Sequence, residues 1–209
     1  QDAASIHRHY EGKILNNAFF DDKSRGFFKE LQQVFWATGA EAGYAVGFEL
    51  TWCLLTHSLA TYPQDVVIEE GGNDFFDNVI EDIKRNREFL RRLDLFLNEQ
   101  SDYFKEQLMD NVKFEPADSL DLFASLHSSD IFVNGQKNTD GTWNLEFKLT
   151  DKYDFTEFVK FWELEGTWEK LGWAINDLAH WSQKLGAITP FDVEIRFTIK
   201  NYQVKNKVE

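Results

Sequence analysis

Two segments of this chain alternate apolar and polar residues with period two. Trp143, Leu145, Phe147 and Leu149 alternate with Asn144, Glu146 and Lys148, and Phe191, Val193, Ile195, Phe197 and Ile199 repeat the pattern. Successive side chains of a strand point to opposite faces, so each segment is apolar on one face only. Such a sheet has to be covered on that face by a second layer. Ile131-Phe132-Val133-Asn134-Gly135 precedes the first segment, and Thr139-Asp140-Gly141 between them is a hairpin turn signal. Residues 129–151 therefore read as an antiparallel hairpin, with residues 191–199 as a further strand.

Helical periodicity supplies the covering layer. Phe27, Phe28, Leu31, Val34 and Phe35 recur at helical spacing. The helix is expected to bend or restart near Gly39, run through Phe48, Trp52 and Leu55, and stop before Pro63. Residues 65–68 read as a short extended piece before Gly71-Gly72. Asn73 or Asp74 is placed to cap the next helix, which carries Phe76, Val79, Ile80 and Ile83. A third helical stretch is expected over about residues 93–107. From Glu163 to Leu185 the pattern predicts one amphipathic helix with Trp168, Leu171, Ile175, Leu178 and Trp181 inward, closed by Gly186. The expected fold is α+β. A helical N-terminal half, residues 1–116, packs on a C-terminal antiparallel β-sheet with one long amphipathic helix, residues 117–209, as one continuous compact domain.

The run from Val34 to Ala60 carries only Glu41 and Glu49 as charges and places Gly39, Gly43 and Gly47 on one helix face. Small residues at that spacing let helices approach closely. The run reads as a central helix in a core, with a membrane-inserting, oligomerising helix as the alternative. Two charges in mid-bilayer weigh against insertion, at about 2.5–3.5 kcal/mol each.

Charge excludes further classes. The chain has 22 Lys+Arg against 36 Asp+Glu, a formal net charge of −14. That balance opposes nucleic acid as a partner. The basic cluster Lys84-Arg85-Asn86-Arg87 with Arg91-Arg92 reads as a solvated helix face. Cys53 is the single cysteine, so there is no intramolecular disulfide and no CxxC metal site. It sits in a Trp-Cys-Leu-Leu run and makes a poor nucleophile. Glycine-rich nucleotide loops, HExxH and GxSxG are absent from the sequence. The N-terminus has no apolar signal segment and no initiating Met, and reads as that of a fragment or processed chain.

Five spots carry groups capable of chemistry. Asp151-Lys152-Tyr153-Asp154-Phe155 follows the hairpin, with Asp151 and Tyr153 on one side and Asp154 opposite unless the chain turns. Two carboxylates and a phenol at a strand end bind a divalent cation or handle protons; equally, they form the acidic rim of a turn. Asn176, His180 and Gln183 make a polar stripe on the long helix, with Asp177 three residues from His180. An imidazole near a carboxylate suits acid–base work near neutral pH, and also simple hydrogen bonding. Asp121 with His127, His57 on an apolar helix, and His7-Arg8-His9 complete the set. His57 reads as a core or boundary residue, and the last group as a chain end.

The order of three stretches resembles the C-terminal toxin domains of bacterial polymorphic secreted effectors, including those exported by contact-dependent or type VI systems. The stretches are Leu54-Leu55-Thr56-His57-Ser58-Leu59, Asp121-Leu122-Phe123-Ala124-Ser125-Leu126-His127, and Leu149-Thr150-Asp151-Lys152-Tyr153-Asp154-Phe155 followed by Gln183 and Gly186-Ala187-Ile188-Thr189-Pro190-Phe191. Asp151, Tyr153 and Asp154 resemble the Asp-x-Tyr-Asp motif of colicin M-type enzymes, which cleave the lipid-linked peptidoglycan precursor at its pyrophosphate with a divalent cation. Those enzymes carry a His-Arg pair shortly downstream, where this chain has Phe158-Val159-Lys160-Phe161.

The resemblance implies an antibacterial effector, secreted or delivered into target bacteria and acting in the periplasm or at the membrane. Its partners would be a cognate immunity protein and an envelope lipid-linked substrate, with no nucleic acid. The expected hydrolase site comprises Asp151, Tyr153, Asp154, Asp177 and His180, with a magnesium or calcium ion on Asp151 and Asp154. The alternatives are a membrane-inserting toxin without an enzyme site, or an acidic binding or immunity protein.

Overall fold

A computed structural model describes residues 22–45, 47–115, 117–126, 128–155 and 167–205. The chain runs α1 (Asp22–Ala45), α2 (Glu49–Ser58), β1 (Val66–Glu69), α3 (Asp74–Arg85), α4 (Arg87–Asn98), β2 (Tyr103–Lys113), α5 (Leu120–Ser125), β3 (Ser128–Lys137), β4 (Trp143–Tyr153), α6 (Thr167–Lys184) and β5 (Phe191–Tyr202). The fold is α+β. The sheet order is β1-β5-β4-β3-β2. The β2-β3, β3-β4 and β4-β5 pairs are antiparallel, while β1 lies parallel to β5. The sheet is thus mixed, and it draws two edge strands from the N-terminal half.

Contacts divide the chain into two interleaved units. One holds residues 1–42, 55–63 and 154–190; the other holds residues 43–54, 64–153 and 191–209. In the sheet unit, the alternation of β4 and β5 is realised as expected: Leu145, Phe147, Leu149, Val193, Ile195 and Phe197 are buried, while Glu146 and Lys148 are exposed. The covering layer is α3 and α4. Phe89 of α4 meets Phe147 and Phe197 edge-on or tilted, at 5.5 and 5.9 Å between ring centroids, and those two rings stack at 4.8 Å. Aromatic rings at these separations add to the stabilisation from apolar burial.

Asn73 caps α3, its side chain accepting the Phe76 N–H at 2.8 Å. The charged stretch beyond does not continue as one helix. Asn86 takes an extended conformation, ends α3, and caps α4 by accepting the Phe89 N–H at 3.1 Å. The expected helix over residues 93–107 is corrected. Helix α4 stops at Asn98, and β2 begins at Tyr103. Two register shifts against β3 and a positive φ at Glu106 break the alternation that would mark β2 as a strand.

The restart near Gly39 is also corrected. Helix α1 continues through Gly39 to Ala45, and the chain turns at Gly47, whose φ is +92°. A positive φ suits glycine, so the third glycine of the stripe ends the helix instead of lining it. Among the described residues no helix is long and apolar enough to cross a membrane.

In the other unit, Trp36 of α1 donates its indole N–H to the Ser182 hydroxyl of α6 at 2.9 Å, and that hydroxyl lies 2.8 Å from Gln32 Oε1. Ala179 and Ser182 are fully buried, whereas Leu178 and Trp181 are half-buried. In the described part of α6 the most buried side chains are therefore small ones, which let Trp36 approach. Trp168, Leu171 and Ile175 lie outside the described side chains, and residues 163–166 lie outside the described residues. Gly186 ends this segment with φ +73°, as the sequence indicates.

Candidate functional site

The strongest polar constellation in the helical unit forms where the chain leaves Asp154. Phe155 follows, and both of its backbone groups are held by α6. Its N–H donates to Gln183 Oε1 at 3.0 Å, and its carbonyl lies 2.5 Å from His180 Nδ1. Residues three apart share a helix face, so one α6 face grips one peptide segment. A carbonyl oxygen only accepts, so His180 Nδ1 must carry the hydrogen. In the neutral ring the lone pair then resides on Nε2. The main chain has thereby fixed the tautomer and orientation of the imidazole, as a general base requires. Asp177 lies three residues earlier on α6 and is buried, and Asp154 is half-buried.

Asp154, Asp177 and His180 belong to this unit, while Asp151 and Tyr153 belong to the sheet unit. Asp151 points to the same side as Tyr153, as alternation requires. Its Oδ1 accepts the Lys152 N–H at 2.8 Å, and Ser129 Oγ donates to Oδ2 at 3.4 Å. Tyr153 is buried, with its ring 5.2 Å from that of Phe191. Burial, then the negative charge of Asp121 and the neighbouring Cys53, push its phenol well above the ordinary value. It is a neutral core tyrosine at physiological pH.

Among the described residues no group of three or more His, Cys, Asp or Glu side chains is placed to hold a metal ion. Asp151, moreover, already engages the Lys152 amide and Ser129. Asp154 lies in the other unit, and a cation on Asp151 and Asp154 stays an expectation of the resemblance.

A second constellation, in the sheet unit, surrounds Asp121. Its carboxylate accepts the N–H groups of Leu50 and Thr51, both at 2.8 Å, and the Thr51 hydroxyl at 2.6 Å. These amides open α2, so Asp121 caps a helix seventy residues away in sequence. Burial first, and Asp121 second, raise the Cys53 thiol, which keeps it protonated and unreactive. The Asp121 contacts, Ser129 beside Asp151, and the gripped Phe155 backbone were all missed from sequence. The signal was the start of α2 at Glu49, where the preceding Phe48 has no side chain able to cap a helix.

His127, His7 and His9 lie outside the described residues. His57 ends α2, half-buried. Lys84, Arg85, Arg91 and Arg92 pair with Glu70, Glu81 and Glu88, which matches a solvated helix face. No protein-family model, curated protein or solved structure matches this chain.

Proposed function

We propose that this chain is an antibacterial effector domain that acts at the cell envelope as a hydrolase, with His180 as its general base. The observation that carries the reading is the 2.5 Å contact between His180 Nδ1 and the Phe155 carbonyl, which leaves the lone pair on Nε2. In this reading Nε2 takes a proton from water. The water oxygen attacks phosphorus in the lipid-linked peptidoglycan precursor, and the departing oxygen recovers the proton from the imidazolium. Asp177 lies on the preceding turn of α6, three residues from His180. Gln183 positions the segment carrying Asp154. The likeness of Asp151-Lys152-Tyr153-Asp154 to the colicin M-type motif supports the substrate class and an immunity protein as partner.

Growth of a bacterial host tests the reading. The chain is expressed in the cytoplasm, or with an added export signal, as wild type and as His180→Ala. The expected result is toxicity only on export, relieved by His180→Ala in a protein whose circular dichroism shows it still folded. An exported His180→Ala protein as toxic as wild type rejects His180 as the base. Absence of toxicity in both compartments, with expression confirmed, rejects the effector reading.

A further inference from the structure

Phe155 offers α6 a donor and an acceptor side by side, and α6 answers with the complementary pair. Gln183 Oε1 accepts the Phe155 N–H at 3.0 Å, and His180 Nδ1 meets the Phe155 carbonyl at 2.5 Å. A residue that uses both its N–H and its C=O on one partner has the pattern of a hydrogen-bonded pair in an antiparallel sheet. Here two side chains, about one turn apart on a helix, take the place of the partner residue.

The pair also resolves two side chains that each have a donor end and an acceptor end. An N–H only donates, so Gln183 turns its oxygen, not its nitrogen, to Phe155. A carbonyl only accepts, so His180 Nδ1 carries hydrogen. Both contacts are only part-buried. Water competes for a single hydrogen bond in such surroundings, and water accepts from either ring nitrogen. The carbonyl therefore dictates the tautomer only while Phe155 is held in place. The Phe155 N–H and carbonyl belong to successive planar peptide groups, joined through the two rotatable backbone bonds of that residue. Fixing the first group restricts the second.

We propose that Gln183 is a positioning residue. By holding the Phe155 N–H, its side-chain oxygen aims the Phe155 carbonyl at His180 and so selects the tautomer with its lone pair on Nε2. The use of Nε2 as a base rests on the hydrolase reading; the tautomer itself does not. The tautomer is read by spectroscopy and the hydrolase by toxicity, so either can fail alone.

The probe is the full chain with nitrogen-15 in its histidine rings, observed by NMR at about pH 8.5, where free histidine is neutral. The chain has five histidines, and the His180 signals are those lost in His180→Ala. Ring nitrogens with and without hydrogen differ widely in chemical shift, so the shifts report the ratio of the two neutral forms. Wild type is expected to carry hydrogen on Nδ1. Gln183→Met keeps the stem without the oxygen. It is expected to lower the ratio of the Nδ1–H to the Nε2–H form about three- to tenfold, the weight of one ordinary hydrogen bond. Gln183→Asn withdraws the oxygen by one methylene and is expected to act in the same direction, which serves where Gln183→Met does not fold. Gln183→Glu keeps an acceptor oxygen and is expected to retain the wild-type signals, a rescue that separates the oxygen from mere packing.

A wild-type His180 with its lone pair on Nδ1 would overturn the proposal without any variant. So would a Phe155 amide that exchanges with solvent as fast as an unprotected one. Unchanged His180 signals in a removal variant still folded by circular dichroism would overturn it too, as would a Gln183→Glu protein that behaves as Gln183→Met.

Discussion

Asp121 accepts both the N–H and the hydroxyl of Thr51, at 2.8 and 2.6 Å, and thereby caps a helix to which it does not belong. Amides at a helix start have no partner within the helix, so a carboxylate from a distant segment satisfies them and complements the positive end of the helix dipole. Asp121→Ala is expected to cost about 1–2 kcal/mol, the usual loss of an N-terminal cap. Urea denaturation reads the loss. A midpoint equal to wild type would show that Thr51 and water cap α2 unaided.

Gly135 of β3 sits opposite Phe104 of β2, and a Cβ at Gly135 would overlap the Phe104 ring. That ring cannot retreat easily, since Phe96 and Trp143 flank it at 5.5 and 5.7 Å. Gly135→Ala is therefore expected to destabilise the fold by about 1–3 kcal/mol despite alanine's lower entropy cost. Combining it with Phe104→Leu should recover part of the loss. A stabilised Gly135→Ala protein would refute the close packing.

Glu88 is held by Arg91 and Arg92 at 2.7 and 2.9 Å. Hydrogen bonding from Arg91, aided by Arg92 against an opposing burial effect, lowers its carboxyl to about 2 from an ordinary 4.5. A depressed carboxyl contributes stability above its unfolded value and loses it as pH falls through the folded one. Glu88→Gln should cost up to about 1 kcal/mol near neutral pH, because both arginines are solvent-exposed. The gap between mutant and wild type should close from pH 4.5 down to about 2. A gap independent of pH would mean that the ion pairs contribute nothing.

Tyr202 donates its hydroxyl to the buried Asp94 carboxylate at 2.8 Å. Burial, and then the Asp94 carboxylate itself, raise the phenol well above its ordinary value, as burial does for Tyr153. A raised phenol contributes stability fully below the unfolded value of about 10 and loses it as pH rises further. In an alkaline absorbance titration, Tyr153 and Tyr202 should resist ionisation until the protein unfolds. Tyr202→Phe should leave one resistant tyrosine and cost about 1.5–3 kcal/mol, the value of a hydrogen bond to a charged group. Two resistant tyrosines in Tyr202→Phe would place the second elsewhere.

Some of this architecture is written in the sequence because its cause is local. The period-two alternation of β4 and β5 depends only on which face meets apolar neighbours, and Asn73 and Gly186 act on the backbone beside them. The acid and imidazole groups near Asp154 and His180 were likewise legible as residue types. Tertiary structure decided the rest. Strand β2 exists through its pairing with β3, since its bulges erase the alternation that would announce it. The small buried face in the described part of α6 was set by Trp36 reaching Ser182, a contact spanning 146 residues. The tautomer of His180 was set by the Phe155 carbonyl, and the cap of α2 by Asp121. Backbone carbonyls carry no residue identity, and a cap supplied from a distant segment leaves no mark beside the helix it closes. Such features arise only once the chain has folded and brought the two partners within hydrogen-bonding reach.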